Sequence, residues 1–194
     1  MRKKFTGILF LIVGNSGSGK DSIIQGAVKK YPNDLNKLYV PKRYITRDPS
    51  KTEENISISP EEFRIMSKEG KFALKWHIYG LDYGISIEID EKLKNGQSVA
   101  VNVSRIIIPE AKKVYENTKV IFIEVPFDIT LKRLKERTRE IGKRLEERLE
   151  RARNNQKFPE ADYIIDNSGL LDDAIDQFIN YVIKCIEQVK NRIE

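Results

Sequence analysis

The stretch Gly14-Asn15-Ser16-Gly17-Ser18-Gly19-Lys20 constrains this chain more than any other. It follows an apolar run, Ile8–Val13, and precedes a stretch with helical spacing at about 20–30. A glycine-rich turn between a buried strand and a helix lets successive backbone N–H groups point inward around phosphate oxygens. The helix start adds positive potential, and Lys20 is placed to reach the β- and γ-phosphates of a nucleotide. Gly14, Asn15, Ser16, Gly17, Ser18, Gly19, Lys20, Asp21 and Ser22 are therefore read as nucleotide-binding, with Lys20 catalytic. One position departs from the usual pattern. Asp21 stands where Ser or Thr supplies a hydroxyl to Mg²⁺, and Ser22 comes one residue late. The strand Val99–Asn102 also ends in Asn, where many phosphate-loop enzymes carry an Asp near the metal. The two changes read as linked, with Asp21 as the metal-side carboxylate and Asn102 avoiding excess negative charge. The other reading of Asp21 is support of helix entry alone.

Beyond the loop, short apolar runs alternate with amphipathic stretches. Ile8–Val13, Val99–Val103, Val120–Val125 and Tyr163–Ile165 have the length and composition of buried strands. Helical spacing fills about 20–30, 109–116, 127–153 and 170–192. In the last of these, Leu171, Ile175, Phe178, Ile179, Val182, Ile183 and Ile186 form one apolar face. Strands alternating with helices predict an α/β fold with a parallel sheet. The stretch from about 43 to 90 breaks the pattern. It holds a polar loop, Asp48–Asn55, and a helix opening at Ser59-Pro60-Glu61-Glu62, where Ser caps, Pro suits the first turn and Glu62 completes a capping box. Phe72–Ile78 and Tyr83–Ile89 follow, joined by Tyr79-Gly80-Leu81-Asp82. This predicts a small mixed insertion on the α/β core.

Composition narrows the chemistry. A length of 194 residues fits one domain, and 40% hydrophobic content suffices for a core. The single cysteine, Cys185, excludes an internal disulfide framework and a Cys-based metal cluster. The single histidine, His77, excludes a multi-His metal site but leaves a His–carboxylate pair possible. A net charge of +6 points to anionic partners: nucleic acid, membrane or a phosphorylated small molecule. Met1-Arg2-Lys3-Lys4 before an apolar run has the opening of a signal peptide, but the run is short, flows into the glycine loop and is followed by no small-residue cleavage site. It reads as a strand. No stretch approaches the roughly 18 apolar residues of a membrane span. The expected compartment is the cytoplasm, in keeping with an unpaired thiol.

Two further motifs, Arg43-Tyr44-Ile45-Thr46-Arg47-Asp48 and Tyr83-Gly84-Ile85, resemble the acceptor-site motifs of guanylate kinases. The order of phosphate loop, acceptor insertion and Arg-rich segment matches that family as well. The strings GNSGSGKDS, RYITRD, WHIYGLDYGISIEID and VNVSR resemble one branch in particular, the ribose 1,5-bisphosphate phosphokinases. The resemblance runs from Gly14 to about Arg153. It implies a P-loop kinase fold of three layers, α/β/α, with a parallel sheet, in a single domain. The core would be 1–42, 91–130 and 155–194, the acceptor-binding insertion about 43–90 and a helical lid about 131–154. It implies ATP with Mg²⁺ as co-substrate and a phosphorylated sugar or nucleotide as acceptor, and Asp21, from the loop reading above, is the expected metal ligand.

The departures from a guanine pocket are chemically informative. Guanylate kinases grip the acceptor phosphate with two Arg and two Tyr and read guanine with a Glu, a Ser or Thr, and an Asp. By the resemblance, Arg47 stands at the first Arg position and Ser50 at the second. Tyr83 stands at one Tyr position and Asn55 at the other. The guanine-reading Glu falls on His77, the hydroxyl position on Ile85 and the Asp on Ser104. A pocket matched to a base discriminates by about 10⁴–10⁵, and this one is not matched to guanine. Arg43, Arg47, His77, Tyr83, Ser104 and Arg105 are the expected acceptor-binding residues. Two of them keep a bland alternative: Tyr83 as a turn aromatic, and His77 beside Trp76 as a satisfied core histidine.

From Lys132 to Arg153 the chain carries ten basic and five acidic residues. Much of this is a solvated helix with pairs at i,i+4 spacing. The resemblance selects three positions: Arg133 for nucleotide binding, and Arg137 and Arg148 as catalytic lid residues stabilising charge on the moving phosphoryl. The leading expectation is ATP-dependent phosphorylation of ribose 1,5-bisphosphate to 5-phosphoribosyl 1-diphosphate (PRPP) and ADP. The alternative is a guanylate kinase-type nucleoside monophosphate kinase. A binding module gripping a phosphorylated peptide is disfavoured by the complete loop. Nucleic acid is disfavoured because the positive charge concentrates where a lid belongs, and a membrane partner by the lack of a span. Monomer and homodimer both stay open.

Overall fold

The computed structural model describes residues 2–49, 54–136 and 143–191. In chain order the elements are β1 (Leu9–Gly14), α1 (Lys20–Lys30), β2 (Arg43–Ile45), β3 (Asn55–Ser57), α2 (Pro60–Lys68), β4 (Phe72–Ile78), β5 (Leu81–Ser86), α3 (Glu88–Lys94), β6 (Val99–Asn102), a 3-10 turn (Arg105–Ile107), α4 (Ile108–Val114), β7 (Thr118–Glu124), α5 (Phe127–Glu136), α6 (Lys143–Asn154), β8 (Tyr163–Asp166) and α7 (Leu171–Lys190). They form two four-stranded sheets, ordered β6-β1-β7-β8 and β3-β2-β5-β4. The fold is α/β, as the alternating pattern predicts. Among the described residues, no helix is long and apolar enough to cross a membrane.

The chain resolves into two compact units. One comprises Met1–Phe10 with Asn33–Thr118, the other Leu11–Pro32 with Lys119–Glu194. In the second unit, β7 and β8 run parallel, with Ile121 opposite Tyr163 and Glu124 opposite Asp166. Continuous burial of Val120, Ile121, Phe122 and Ile123 reflects coverage of both sheet faces. The helix α7 turns Ala174, Ile175, Phe178, Ile179, Val182 and Cys185 into the core at helical spacing. It packs on α1, where Gly26 leaves room for the Ile175 side chain.

In the first unit, β4 and β5 form a hairpin closed by Tyr79 and Gly80, at φ 55° and 71°. Two left-handed residues match the right-handed strand twist. The connection is therefore two residues long rather than the four read from the sequence. β5 pairs in turn with β2, and β2 lies parallel to β3. Ser59 caps α2 with the reciprocal Glu62 bond, as the sequence predicts. The expected strand through Ile89 stops at Ser86. There the Ser86 hydroxyl accepts from the Glu88 N–H, and α3 begins on three acidic residues. Within the helical pattern read at 127–153, the described residues form α5 and α6, and 137–142 lie outside the described residues.

Candidate active site

The phosphate loop lies in the second unit and hangs between β1 and α1. Gly17 and Gly19 take φ of 83° and 86°, the left-handed region open to glycine at little cost. A side chain on Gly19 would run into Asn167, and one on Gly14 would meet the Ile123 carbonyl at 2.8 Å. Lys20 folds back over the loop. Its Nζ donates to the carbonyls of Gly14 and Asn15, both at 2.9 Å, and to Ser18 Oγ at 3.3 Å. The ammonium is thus held among the loop's own oxygens. Asp21 is half-buried in the first turn of α1, and Ser22 is exposed.

Contacts from α6 and from Asn155, just after it, reach the loop. Arg148 Nη1 donates to Ser16 Oγ at 2.8 Å. Asn15 Nδ2 donates to the carbonyls of Ala152 and Asn155, at 3.2 and 3.0 Å. Arg133, on α5, donates from Nη2 to the Asn167 carbonyl at 3.1 Å. The Asn167 side chain in turn donates to the Ser18 carbonyl at 2.7 Å. Arg133 Nη1, Asn167 Oδ1 and Thr130 Oγ1 are among the buried polar atoms that have no hydrogen-bond partner among the described residues. Burying such groups unpaired is costly, so they mark a place where a polar ligand fits. Arg137 lies outside the described residues, as does Ser50. Thr130 was not singled out from sequence, and Asn167 only within Asp166–Ser168, a candidate by position for contacting adenine.

The expected acceptor residues all lie in the first unit. Arg43 opens β2, and its guanidinium donates to Asn55 Oδ1 at 3.2 Å and to the Asn102 carbonyl at 3.4 Å. Arg47 follows β2 and is half-buried. The backbone of Thr46, next to it, donates to the Asp82 carbonyl, and the Thr46 hydroxyl accepts from the Asp82 N–H at 2.8 Å. His77 is no core histidine. Its side chain is 62% exposed, and Nδ1 sits 2.7 Å from Asp82 Oδ1 directly across the hairpin. The arithmetic that left a His–carboxylate pair possible is realised here. Tyr83 stacks on Trp76, ring centroids 5.3 Å apart and planes 3° from parallel. Ile85 is fully buried. Ser104 and Arg105, at the 3-10 turn, are half-buried. Asp82 and Thr46 were likewise missed, because neither type at that position announces a contact across strands. Cys185 is buried, which pushes its thiol up and leaves it a poor nucleophile.

A strand, a glycine loop with its lysine and a following helix, on an α/β fold, define the class of P-loop phosphotransferases. The chain belongs to the guanylate kinase family, whose model matches residues 7–185. It is 37% identical over 166 residues to the ribose 1,5-bisphosphate phosphokinase PhnN of Bradyrhizobium diazoefficiens, covering 86% of this chain and 83% of that one. To the protein of the same name from Pectobacterium atrosepticum it is 39% identical over 173 residues, covering 88% and 90%. The guanylate kinase of Anaplasma phagocytophilum has the same fold, with a TM-score of 0.69 at 16% identity, over 93% of this chain and 87% of that one.

Proposed function

We propose that this chain transfers the γ-phosphoryl of ATP to the 1-phosphate of ribose 1,5-bisphosphate, giving 5-phosphoribosyl 1-diphosphate and ADP. The observation that carries the reading is the acceptor hairpin. Where a guanine pocket needs a free carboxylate and a hydroxyl, this chain presents His77, paired to Asp82, and the buried aliphatic Ile85. Neither can accept the N1–H and N2–H of guanine together, as the two oxygens of a carboxylate do. An imidazole on the same unit as Arg43, Arg47 and Arg105 suits a second anionic group instead. The relatives named above carry the same activity in their names.

The chemistry asks little of the protein beyond placement and charge. One oxygen of the 1-phosphate bonds to the γ-phosphorus as the bond to the ADP oxygen breaks. The attacking atom is already an oxyanion, so no general base is needed. In this reading Lys20 leaves its loop carbonyls for the β- and γ-phosphates. Arg148 stabilises charge on the moving phosphoryl, and Arg137 is assigned the same task. Arg133 and Asn167 offer their unpartnered atoms to the nucleotide. Arg43, Arg47, Tyr83, Ser104 and Arg105 hold the acceptor with His77. Mg²⁺ is part of the proposal. It binds through one or two carboxylates plus substrate phosphates and water, and half-buried Asp21 fits that donor set. No group of three or more His, Cys, Asp or Glu among the described residues could hold a metal alone. When bound with ATP, the ion would neutralise charge on the β- and γ-oxygens. A cytoplasmic location and a monomer or homodimer accord with this role.

The test is a coupled ADP-release assay with ribose 1,5-bisphosphate, GMP, AMP and ribose 5-phosphate side by side. Ribose bisphosphate is expected to give the highest kcat/KM. GMP turnover far above it would overturn the reading in favour of a nucleoside monophosphate kinase.

A further inference from the structure

We infer that Asn15 is a positioning residue for Arg148, gripping the C-terminal end of α6 so that the helix presents its arginine to the phosphate loop. The inference rests on the kinase reading above for the role of Arg148, and on unit-internal geometry for the rest. The last four carbonyls of a helix have no partner within it and carry its negative end. In α6 that end lies at 151–154. The Arg151 carbonyl is met by the N–H and side-chain amide of Asn155, and the Ala152 carbonyl by Gln156. Asn15 supplies a further amide from outside the helix, shared between the Ala152 and Asn155 carbonyls.

Spacing gives this bond its meaning. Arg148, Ala152 and Asn155 stand at i, i+4 and i+7, on one face of the helix line. On the loop, Asn15 and Ser16 are adjacent. Ser16 accepts from Arg148, while Asn15 holds the same face one and two turns further on. The buried Ala152 lets the loop approach closely, with 1% of its surface exposed. On the other side, the Arg153 guanidinium lies 5.1 Å from the Phe127 ring centroid of α5. The helix end is thus fixed from two directions, and a residue of the loop itself supplies one of them. A loop asparagine with this task acts through Arg148 and need not touch the nucleotide with its side chain.

The experiment is a double-mutant cycle of Asn15→Ala and Arg148→Ala, with hydrogen exchange of the Arg148–Asn155 amides as an activity-independent arm. Asn15→Ala is expected to lower kcat about tenfold, the worth of one or two neutral hydrogen bonds, with the KM for ATP little changed. In the Arg148→Ala background the same change should cost less than about twofold. Asn15→Asp, which aims a carboxylate at carbonyl oxygens, should lose more than Asn15→Ala. Exchange at 148–155 should accelerate several-fold in unliganded Asn15→Ala. Additive kinetic losses, or an unchanged exchange pattern, would overturn the inference. Asn15→Ser, polar but too short to reach, stands in if Asn15→Ala fails to fold. Failure of the wild-type chain on ribose bisphosphate would sink the functional reading alone, because the exchange arm needs no acceptor.

Discussion

Lys20 carries the largest expected single-residue effect. It is already poised over the loop, donating to the Gly14 and Asn15 carbonyls and to Ser18 Oγ, and in the proposed reading it turns from the loop carbonyls to a phosphate. Removing a preorganised charge donor of this kind costs about 10²–10³ in rate. Lys20→Ala should therefore lose that much kcat in the ADP-release assay, and a loss under tenfold would deny it the role. In the proposed reading, His77 governs choice of acceptor rather than rate. His77→Glu places a carboxylate opposite Asp82, against an anionic acceptor. The kcat/KM for ribose bisphosphate should fall about tenfold or more, an interaction of about 1.4 kcal/mol, and GMP turnover should appear. Unchanged kinetics with ribose bisphosphate would remove His77 from the site. The loop was legible in sequence because its chemistry is local, with glycines and lysine inside one turn of chain. Asn167 was not, because its side chain meets Ser18 across 149 positions. A buried asparagine after a strand has the same sequence appearance as any turn residue.

At the level of elements, two devices lend themselves to measurement. The capping box of α2 joins the Glu62 carboxylate to the Ser59 N–H, and these bonds hold Glu62 below its ordinary value of 4.5. A carboxylate depressed in the folded state contributes stability that is full above its unfolded value and is lost as pH falls through the folded one. Denaturation of the wild type should therefore lose this contribution as pH drops below about 4.5, and Glu62→Gln should flatten that part of the profile. An unaltered slope in Glu62→Gln would mean the box is idle in solution. The contact of α1 with α7 depends on the missing side chain at Gly26, since even one carbon there would collide with Ile175. Gly26→Val should cost about 1–3 kcal/mol by overpacking, read as a lower denaturation midpoint. The capping box, the apolar face of α7 and the core strands were legible because periodicity and caps are local signals. The short strands β2 and β3 were not. They are three residues each and owe their state to neighbours far along the chain.

At the scale of the whole molecule, charge is the property whose partner the composition alone left open. The excess of +6 suited nucleic acid, membrane or phosphorylated metabolite equally. Ten basic against five acidic residues between Lys132 and Arg153 concentrate it in one segment, and Arg133 and Arg148 in that segment are turned onto Asn167 and the phosphate loop. The proposed acceptor residues lie in the other compact unit, which carries its own half-buried arginines and an exposed imidazole. Each unit therefore has reason to attract an anion. Salt separates this from a plainly solvated surface. Between about 0.01 M and 1 M, the screening length falls from about 30 Å to about 3 Å. Long-range attraction then disappears, while contacts made inside the bound complex persist. The KM values for ATP and for the acceptor should both rise several-fold across that range, with kcat changing less than about twofold, since preorganised contacts act at short range. Steady-state kinetics at constant Mg²⁺ in a series of potassium chloride concentrations measure this directly. If both KM values stayed flat, the positive excess would be surface charge with no part in gathering substrate, and the binding would rest on the short-range contacts of the loop and hairpin alone.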